Sequence, residues 1–487
     1  MANSLIGRIK EQVVLKELLN SKKSEFLALV GRRRVGKTYL IRNFFEKESC
    51  TFFYCSGLKD GTLKQHLAEF SVQIGNTFYG GAAIIPRNNW LNAFEDLNKA
   101  IAQCSNRKKI VLFIDEFPWL ATKRSKLLQA LDYYWNRYWS HESNLKLIVC
   151  GSSASWIINN IINNKGGLYN RVTRTMHLAP FTLQEAKIFL SALGLKLNHK
   201  HITTLYMTLG GIPYYLSLVR KGMSAYQSID ELCFQKTGAL LKEFDRLFAA
   251  LFENSELYVS LIRVIAQYHY GIGQAQLIKE SKASDGGRTI KRLKELEEAG
   301  FIIEFIPYGH KEKGIYYKVI DEFTLFYLRW MEPNLKTILK QDVGGGYWLA
   351  KTTTQNWKTW AGYAFEAICY KHIMQIRRAL IIDAGAQIGT WRYVPKQEGQ
   401  EGTQIDLLFD RMDNVITVCE IKYNEQPFSI DKNYAKTLTN KLKIYQERSQ
   451  TTKQLFLALI CAGGIKPTIY SEELINGGVV ILDDFFE

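Results

Sequence analysis

GRRRVGKT, residues 31–38, sets Gly31 and Gly36 around four residues and follows them with Lys37 and Thr38. EFLALV before it is a short apolar run that reads as a buried strand. TYLIRNFFEK after it has the helical spacing of Leu40, Ile41, Phe44 and Phe45. Strand, loop, helix is the context that the phosphate-cradling pattern GxxxxGK[ST] requires. The glycines permit a tight backbone whose amides face phosphates, Lys37 reaches the β and γ phosphates, and Thr38 binds Mg²⁺ at the helix N-terminus. Arg32, Arg33 and Arg34 fill variable positions and can point away from the phosphate. A basic loop with two incidental glycines is the alternative, and the flanks speak against it.

Working outward, KKIVLFIDEFPWL (108–120) carries the apolar run Ile110 to Ile114, a buried parallel strand that ends in Asp115 and Glu116. Asp115 is expected to hold Mg²⁺ through water, and Glu116 to polarise the attacking water as general base. A third apolar strand, LKLIVCG (145–151), ends in Ser152 and Ser153. There a polar side chain can sense the γ-phosphate or the water, and a helix N-cap explains either serine equally well.

The 487 residues suffice for about three domains of roughly 100–200 residues each. A hydrophobic content of 47% and a charged content of 23% are those of an ordinary globular protein. The strongest apolar stretch, LFLALICAGGI (455–465), is far short of the roughly 18 residues a membrane span needs. MANSLIGRIK lacks the apolar segment of a signal peptide, so no membrane partner and a cytoplasmic location are expected. The eight cysteines are scattered without a CxxC pair, which argues against zinc or redox work and predicts buried, reduced thiols. A net charge of +16 fits a polyanion such as DNA as partner, and fits a merely basic protein as well.

Beyond the middle of the chain the pattern changes. LYVSLIRVIAQY, AQLIKESK and SDGGRTIKRLKELEEAGFI read as three helices, the last ending at Gly300. FIIEFIPYGHKEKGIYYKVI then reads as a two-stranded wing with turn residues around Gly309 and Gly314. Three helices and a hairpin make a winged helix, whose Arg288, Lys291, Arg292 and Lys294 can contact phosphates. The same cations can equally form a solvated face with Glu295, Glu297 and Glu298.

The final region opens with aromatic helices and continues in the strands GTQIDLLFD, NVITVCEIKY and QLFLALICAGG. Asp406 stands at the end of one hairpin strand, and Glu420 and Lys422 at the end of the next. Two carboxylates displayed this way can bind one Mg²⁺ or Mn²⁺ while the lysine positions water and stabilises developing charge. Glu366, on a preceding helix, can complete the carboxylate set. An ExK triplet is common, and Glu185 with Lys187 and Glu280 with Lys282 form others. The strand context and Asp406 distinguish the one at Glu420.

These motifs resemble the P-loop ATPases of the AAA-related signal-transducing (STAND) class, archaeal-type branch, over about residues 4–240. LIGRIKEQVVLKELL is similar to the GRxxE box, with Gly7, Arg8 and Glu11, which in relatives packs near the adenine. LYNRVTRTMHLAPFTLQEA resembles the segment in which Arg171 would serve as γ-phosphate sensor or finger, a structural salt bridge being the alternative. GGIPYYL resembles an element in which Gly211 and Pro213 close over the base, and it also suits a plain helix start. The winged helix resembles those that follow this core, and the end of the chain resembles a PD-(D/E)xK nuclease-like domain.

The resemblance implies an α/β fold. It comprises a P-loop core with a parallel sheet (1–180), a helical lid (181–250), a winged helix (251–320) and a C-terminal α/β restriction-endonuclease-like domain (321–487). It implies an ATP-binding, Mg²⁺-dependent NTPase that switches a DNA-directed nuclease-like effector, with self-association left open. A non-cleaving, ATP-dependent regulatory or scaffold protein with a degenerate nuclease-like domain is the second reading.

Overall fold

The computed structural model describes residues 5–104, 108–163, 166, 168, 170–282, 286–309, 314–340, 346–395 and 401–487. It forms two compact units. The first runs to Pro180 and includes Glu298–Gly300, and the second comprises Phe181–Glu297 and Phe301–Glu487.

The first unit is built on five parallel strands: β1 (Glu25–Val30), β2 (Cys50–Ser56), β3 (Lys109–Asp115), β4 (Leu145–Cys150) and β5 (Arg174–His177), in the order β2-β3-β4-β1-β5. Their near-continuous apolar sequences follow from burial on both faces. Along β1, Phe26, Ala28 and Val30 enter one core while Leu27 and Leu29 enter the other. The strand alternation thus divides one hydrophobic run between two helical layers. Central β1 and β4 are buried along their whole length, whereas edge strands β2 and β5 are mixed.

The second unit starts with helices such as Leu183–Ala192 and His199–Leu209. Three further helices, Ser255–Ala266, Gln274–Glu280 and Gly286–Glu298, accompany a small antiparallel sheet. Its strands are β6 (Ile272–Gly273), β7 (Ile302–Phe305) and β8 (Tyr316–Val319), in the order β6-β8-β7. Two expectations are corrected here. In place of the expected two-stranded wing there is a three-stranded sheet, and the last helix stops at Glu298, before the left-handed Gly300. Residues 310–313 of the wing and 283–285 before the helix lie outside the described residues.

The same unit ends in a mixed sheet of β9 (Gln387–Tyr393), β10 (Thr403–Asp410), β11 (Val415–Lys422), β13 (Gln454–Cys461) and β15 (Val479–Ile481), with the short pair β12 (Phe428–Ser429) and β14 (Ile465–Lys466) beside it. The order is β15-β13-β11-β10-β9. Strand β10 runs antiparallel to both neighbours, and β11, β13 and β15 run parallel. The Lys432–Ser449 helix joins β11 to β13 as the crossover that parallel strands require, and packs Leu438 and Tyr445 into the core under the sheet.

Buried polar groups lock the helices of this unit together. The Asp230 carboxylate accepts the backbone N–H groups of Trp348 at 2.6 Å and Gly346 at 3.0 Å. The fully buried His372 accepts the Leu183 N–H at Nε2 (2.9 Å), and its Nδ1 faces the Ile368 carbonyl at 2.8 Å. Burial pulls this imidazole down to about 4, so it is neutral and Nδ1–H is the donor. All eight cysteines are free, but Cys50 and Cys104 are only partly buried, which corrects the expectation of uniformly buried thiols.

Trp348 is fully buried against Phe234, Phe326, Trp330 and Trp360 at centroid separations of 5.0 to 6.1 Å. Trp348→Ala is expected to destabilise the second unit by about 3–5 kcal/mol, read as a lower urea midpoint with little change in slope.

Candidate functional site

The phosphate loop leaves the C-terminal end of β1 and ends where the Lys37–Phe45 helix starts, with Gly36 in left-handed backbone at its N-cap. Gly31 has no room for a side chain: a Cβ there would lie 2.5 Å from the Leu178 carbonyl oxygen. Lys37 is 7% exposed, and its ammonium donates to the Gly31 carbonyl at 2.7 Å and the Arg32 carbonyl at 3.1 Å. Burial holds this ammonium below the usual lysine range, against the opposing pull of neighbours that include Glu116 and Asp115. Burial and Lys37 together hold His177, at the end of β5, below the usual histidine range.

Arg8 of the GRxxE box donates to the Val35 carbonyl of the loop at 3.2 Å and pairs with Glu11 at 3.4 Å. The box therefore braces the loop backbone. The loop arginines are drawn into the protein: Arg32 is 5% exposed, and Arg33 and Arg34 are partly buried.

Strand order brings the remaining groups together. Strand β4 lies between β1 and β3, so its C-terminal end falls between the phosphate loop and the acidic pair. Thr38 Oγ1 donates to Asp115 Oδ2 at 2.6 Å. Asp115 Oδ1 accepts the Glu116 N–H at 2.9 Å and the Cys150 thiol at 2.7 Å. The Ser152 N–H and hydroxyl both donate to Glu116 Oε2, at 2.9 and 2.8 Å. Ser152 is thus engaged by Glu116, and Ser153 occupies the N-cap position of the next helix without a side-chain cap bond.

Glu116 has φ 44° and ψ 43°, a left-handed conformation that costs a non-glycine residue about 1–3 kcal/mol, and it sits at the turn into the Phe117–Leu120 helix. Two residues here escaped the sequence reading. Burial, then Asp115, pushes the Cys150 thiol well above its usual range, so it is a neutral donor to that carboxylate. Gly151 admits Pro118, whose Cδ would lie 2.5 Å from an added Cβ. Their apolar strand context carried no signal of either contact.

Arg171 lies in an exposed turn just before β5. Pro213 opens the Pro213–Leu216 helix of the second unit, and neighbouring Gly211 approaches the Phe181 backbone so closely that a Cβ would lie 2.0 Å from its carbonyl oxygen.

The second cluster lies on β10 and β11. Leu407 pairs with Cys419, which sets Asp406 opposite Glu420. Asp406 is not at a strand end, as expected, but inside β10, where the register with β9 shifts between Ile405 and Leu408. Such a bulge re-aims a side chain. Both oxygens of Glu420, 5% exposed, are occupied. Oε1 takes Lys422 at 2.9 Å and the Tyr434 hydroxyl at 2.5 Å, and Oε2 takes Lys441 at 2.6 Å. Burial pushes this carboxyl up, but Lys441 and Lys422 outweigh it and hold Glu420 at about 2.

Burial, and then Glu420, pushes Asp406 up, while Gln404 donates to its Oδ1 at 2.7 Å. Burial and Asp406 push Glu366 up to about 8. Lys318 of β8 couples to both carboxyls, with its ammonium 4.8 Å from the centre of the Tyr370 ring and pulled below the usual lysine range by burial. Among the described residues no group of three or more His, Cys, Asp or Glu is arranged to hold a metal. Sequence reading missed Lys441, Tyr434 and Lys318. The signal was the stripe Tyr434, Leu438, Lys441 and Tyr445, which follows one helix face.

Residues 5–219 match the model of an ATPase domain found predominantly in Archaea. An uncharacterized protein of Methanocaldococcus jannaschii is 24% identical over 425 residues, 86% of this chain and 88% of that one. A Walker-type ATPase of Pyrococcus abyssi is 20% identical at a TM-score of 0.49, covering 67% of this chain and 97% of that one. The ORC2 protein of Aeropyrum pernix, solved in ADPNP–ADP complexes, is 14% identical at a TM-score of 0.42, covering 73% and 98%. With the family match and the phosphate loop together, the chain is a P-loop ATPase and binds nucleotide. Among the described residues no helix is long and apolar enough to cross a membrane.

Glu366 yields a pH prediction. Its folded value of about 8 lies above its ordinary 4.5, so the native state keeps a proton that the unfolded chain releases. Stability should therefore be fully present below about pH 4.5 and decline as pH rises towards 8. Glu366→Gln is expected to flatten that decline, so that its urea midpoint gains on the wild type at pH 8 but not at pH 5.

Proposed function

We propose that the chain is an ATP-dependent switch of the STAND type, in which Mg²⁺-dependent hydrolysis controls a DNA-directed, nuclease-like C-terminal domain. The observation that carries the ATPase half is the linked set Thr38, Asp115, Glu116 and Ser152. Thr38 Oγ1 and Asp115 Oδ2, 2.6 Å apart, form a hard-oxygen pair suited to Mg²⁺. Mg²⁺ held there would neutralise charge on the β and γ phosphate oxygens. Lys37 leaves its loop carbonyls for those phosphates. Glu116, held by Ser152, accepts the proton of the attacking water, and the left-handed backbone fixes its carboxylate at the strand end. Arg171 supplies a further cation at the γ-phosphate, and Gly211 and Pro213 close over the base, as the family resemblance implies.

The effector half is supported by Asp406 opposite Glu420 with Lys422 beside it, by the mixed five-stranded sheet that carries them, and by the three helices and small antiparallel sheet of residues 255–319, which suit a nuclease-like domain and a winged helix. With a net charge of +16, DNA is the partner of matching chemistry. A second reading has its own observation. In this arrangement Glu420 is filled by two ammonium groups and a phenol, so the carboxylates do not fit a metal without losing Lys441. A closed ion cluster of that kind is what a non-cleaving regulatory or scaffold domain would keep.

Glu116→Gln is expected to retain ATP binding and lower turnover by about 10²–10⁴-fold, and Lys37→Ala to lose binding, both read by nucleotide titration and phosphate release. Wild-type hydrolysis by Glu116→Gln would remove Glu116 as base. Plasmid and single-stranded DNA, with Mg²⁺ or Mn²⁺ and with or without ATP, separate the two readings. Cleavage that Lys422→Ala abolishes supports the effector, and no cleavage with ATP binding intact supports the scaffold.

A further inference from the structure

Beside the β10–β11 carboxylates, the second unit contains a cavity of about 500 Å³. That volume lies within the roughly 300–1,000 Å³ of sites that take small organic groups. Its walls come from the small β6-β8-β7 sheet and from the β9–β10 edge. The aromatic residues Tyr270, Tyr316, Tyr370 and Tyr393 line it, together with Trp391, whose ring packs into the core against Tyr445 at 5.0 Å. Every nucleobase has a face that stacks on such rings, which is how single strands are held without sequence readout.

Lys318 also lines the cavity. Its ammonium lies over the Tyr370 ring and feels the attraction of Glu366 and Asp406, without a hydrogen bond or close ion pair among the described residues. Arg392 lines it as well, its guanidinium 5.6 Å from the centre of the Tyr270 ring, and Arg448 lies 4.5 Å from the centre of the Tyr393 ring. Arg392 is exposed. Stacking surfaces with cations around them suit a base and its phosphate together.

The inner end of the cavity reaches the carboxylates. Glu366, Gln404 and Tyr370 line it, and Gln404 donates to Asp406 Oδ1 while the Tyr370 hydroxyl bonds the Asp406 carbonyl. A nucleotide seated among the tyrosines would therefore present its neighbouring phosphate towards Asp406 and Glu420. A base paired within a duplex cannot enter, because its faces are covered by its neighbours.

We propose that this cavity seats one unpaired nucleotide of a single-stranded DNA segment, its base against the tyrosines and its phosphate at Lys318. The inference rests on the DNA-directed reading given above and names the form of DNA recognised.

Fluorescence anisotropy of full-length protein tests it, using a single-stranded and a blunt duplex oligonucleotide in EDTA. The wild type should bind the single strand more tightly. Tyr393→Ala and Lys318→Gln should each weaken single-strand binding by about tenfold and leave duplex binding unchanged. Equal loss on both probes in both variants, or no change on either, would overturn the proposal, as would absence of single-strand binding by the wild type. Lys318→Gln keeps most of the side chain and removes its charge, which also faces Glu366 and Asp406; unchanged duplex binding shows that the loss stays with the cavity, so this variant decides the matter if Tyr393→Ala misfolds. Binding in EDTA is independent of cleavage. Discrimination kept by a protein that never cuts DNA would remove the nuclease reading alone, and cutting with unaltered discrimination in the variants would remove the cavity proposal alone.

Discussion

A single hydrogen bond, from Thr38 Oγ1 to Asp115 Oδ2 at 2.6 Å, ties the phosphate loop to the acidic end of β3, and the first unit is arranged to hold those two residues in place. Asp115 ends β3, and Thr38 opens the helix that follows β1, a strand that does not adjoin β3. Strand β4 separates β1 from β3, and its end contributes Cys150 to Asp115 and Ser152 to Glu116. Each carboxylate is thereby oriented by a group on the strand between the two motifs. Gly151 fits this scheme, since it allows the β4 end to pass close to Pro118. The Arg8 contact with Val35 adds a brace from the opposite direction.

The phosphate loop and the acidic pair were legible in the sequence because their requirements are local. Gly31 must lack a Cβ, Lys37 and Thr38 must open a helix, and Asp115 must end a buried strand. Ser152 was ambiguous for the opposite reason. Whether it caps a helix or holds Glu116 depends on β4 lying beside β3, and strand order is set by packing across the sheet. The partner of the Ser152 side chain is therefore a tertiary fact.

The second site shows the same limit more sharply. Asp406, Glu420 and Lys422 could be picked out along the chain, but their surroundings could not. Tyr434 and Lys441 reach Glu420 from a crossover helix, and Lys318 approaches from a strand about a hundred residues earlier in the chain. The bulge that turns Asp406 depends on the pairing of β10 with β9, which no run of residues encodes by itself. The short strand Ile272–Gly273 escaped for a similar reason: two residues carry no periodicity, and only pairing with β8 makes them a strand.

A buried carboxylate needs positive charge wherever it sits, because leaving it without a partner costs about 3–5 kcal/mol. Glu420 meets that need with Lys422 and Lys441, whose fields outweigh burial and keep it ionised. A divalent cation could meet the same need, but it would compete with Lys422, Lys441 and Tyr434 for the two oxygens. At Asp406 and Glu366, across the same cluster, burial outweighs the pull of cations such as Lys318 and raises both. One carboxylate is thus held charged and two are drawn towards neutrality within a single cluster. Any cation arriving there would release protons as it bound, so the electrostatics that stabilise the closed cluster also set the pH at which it can open.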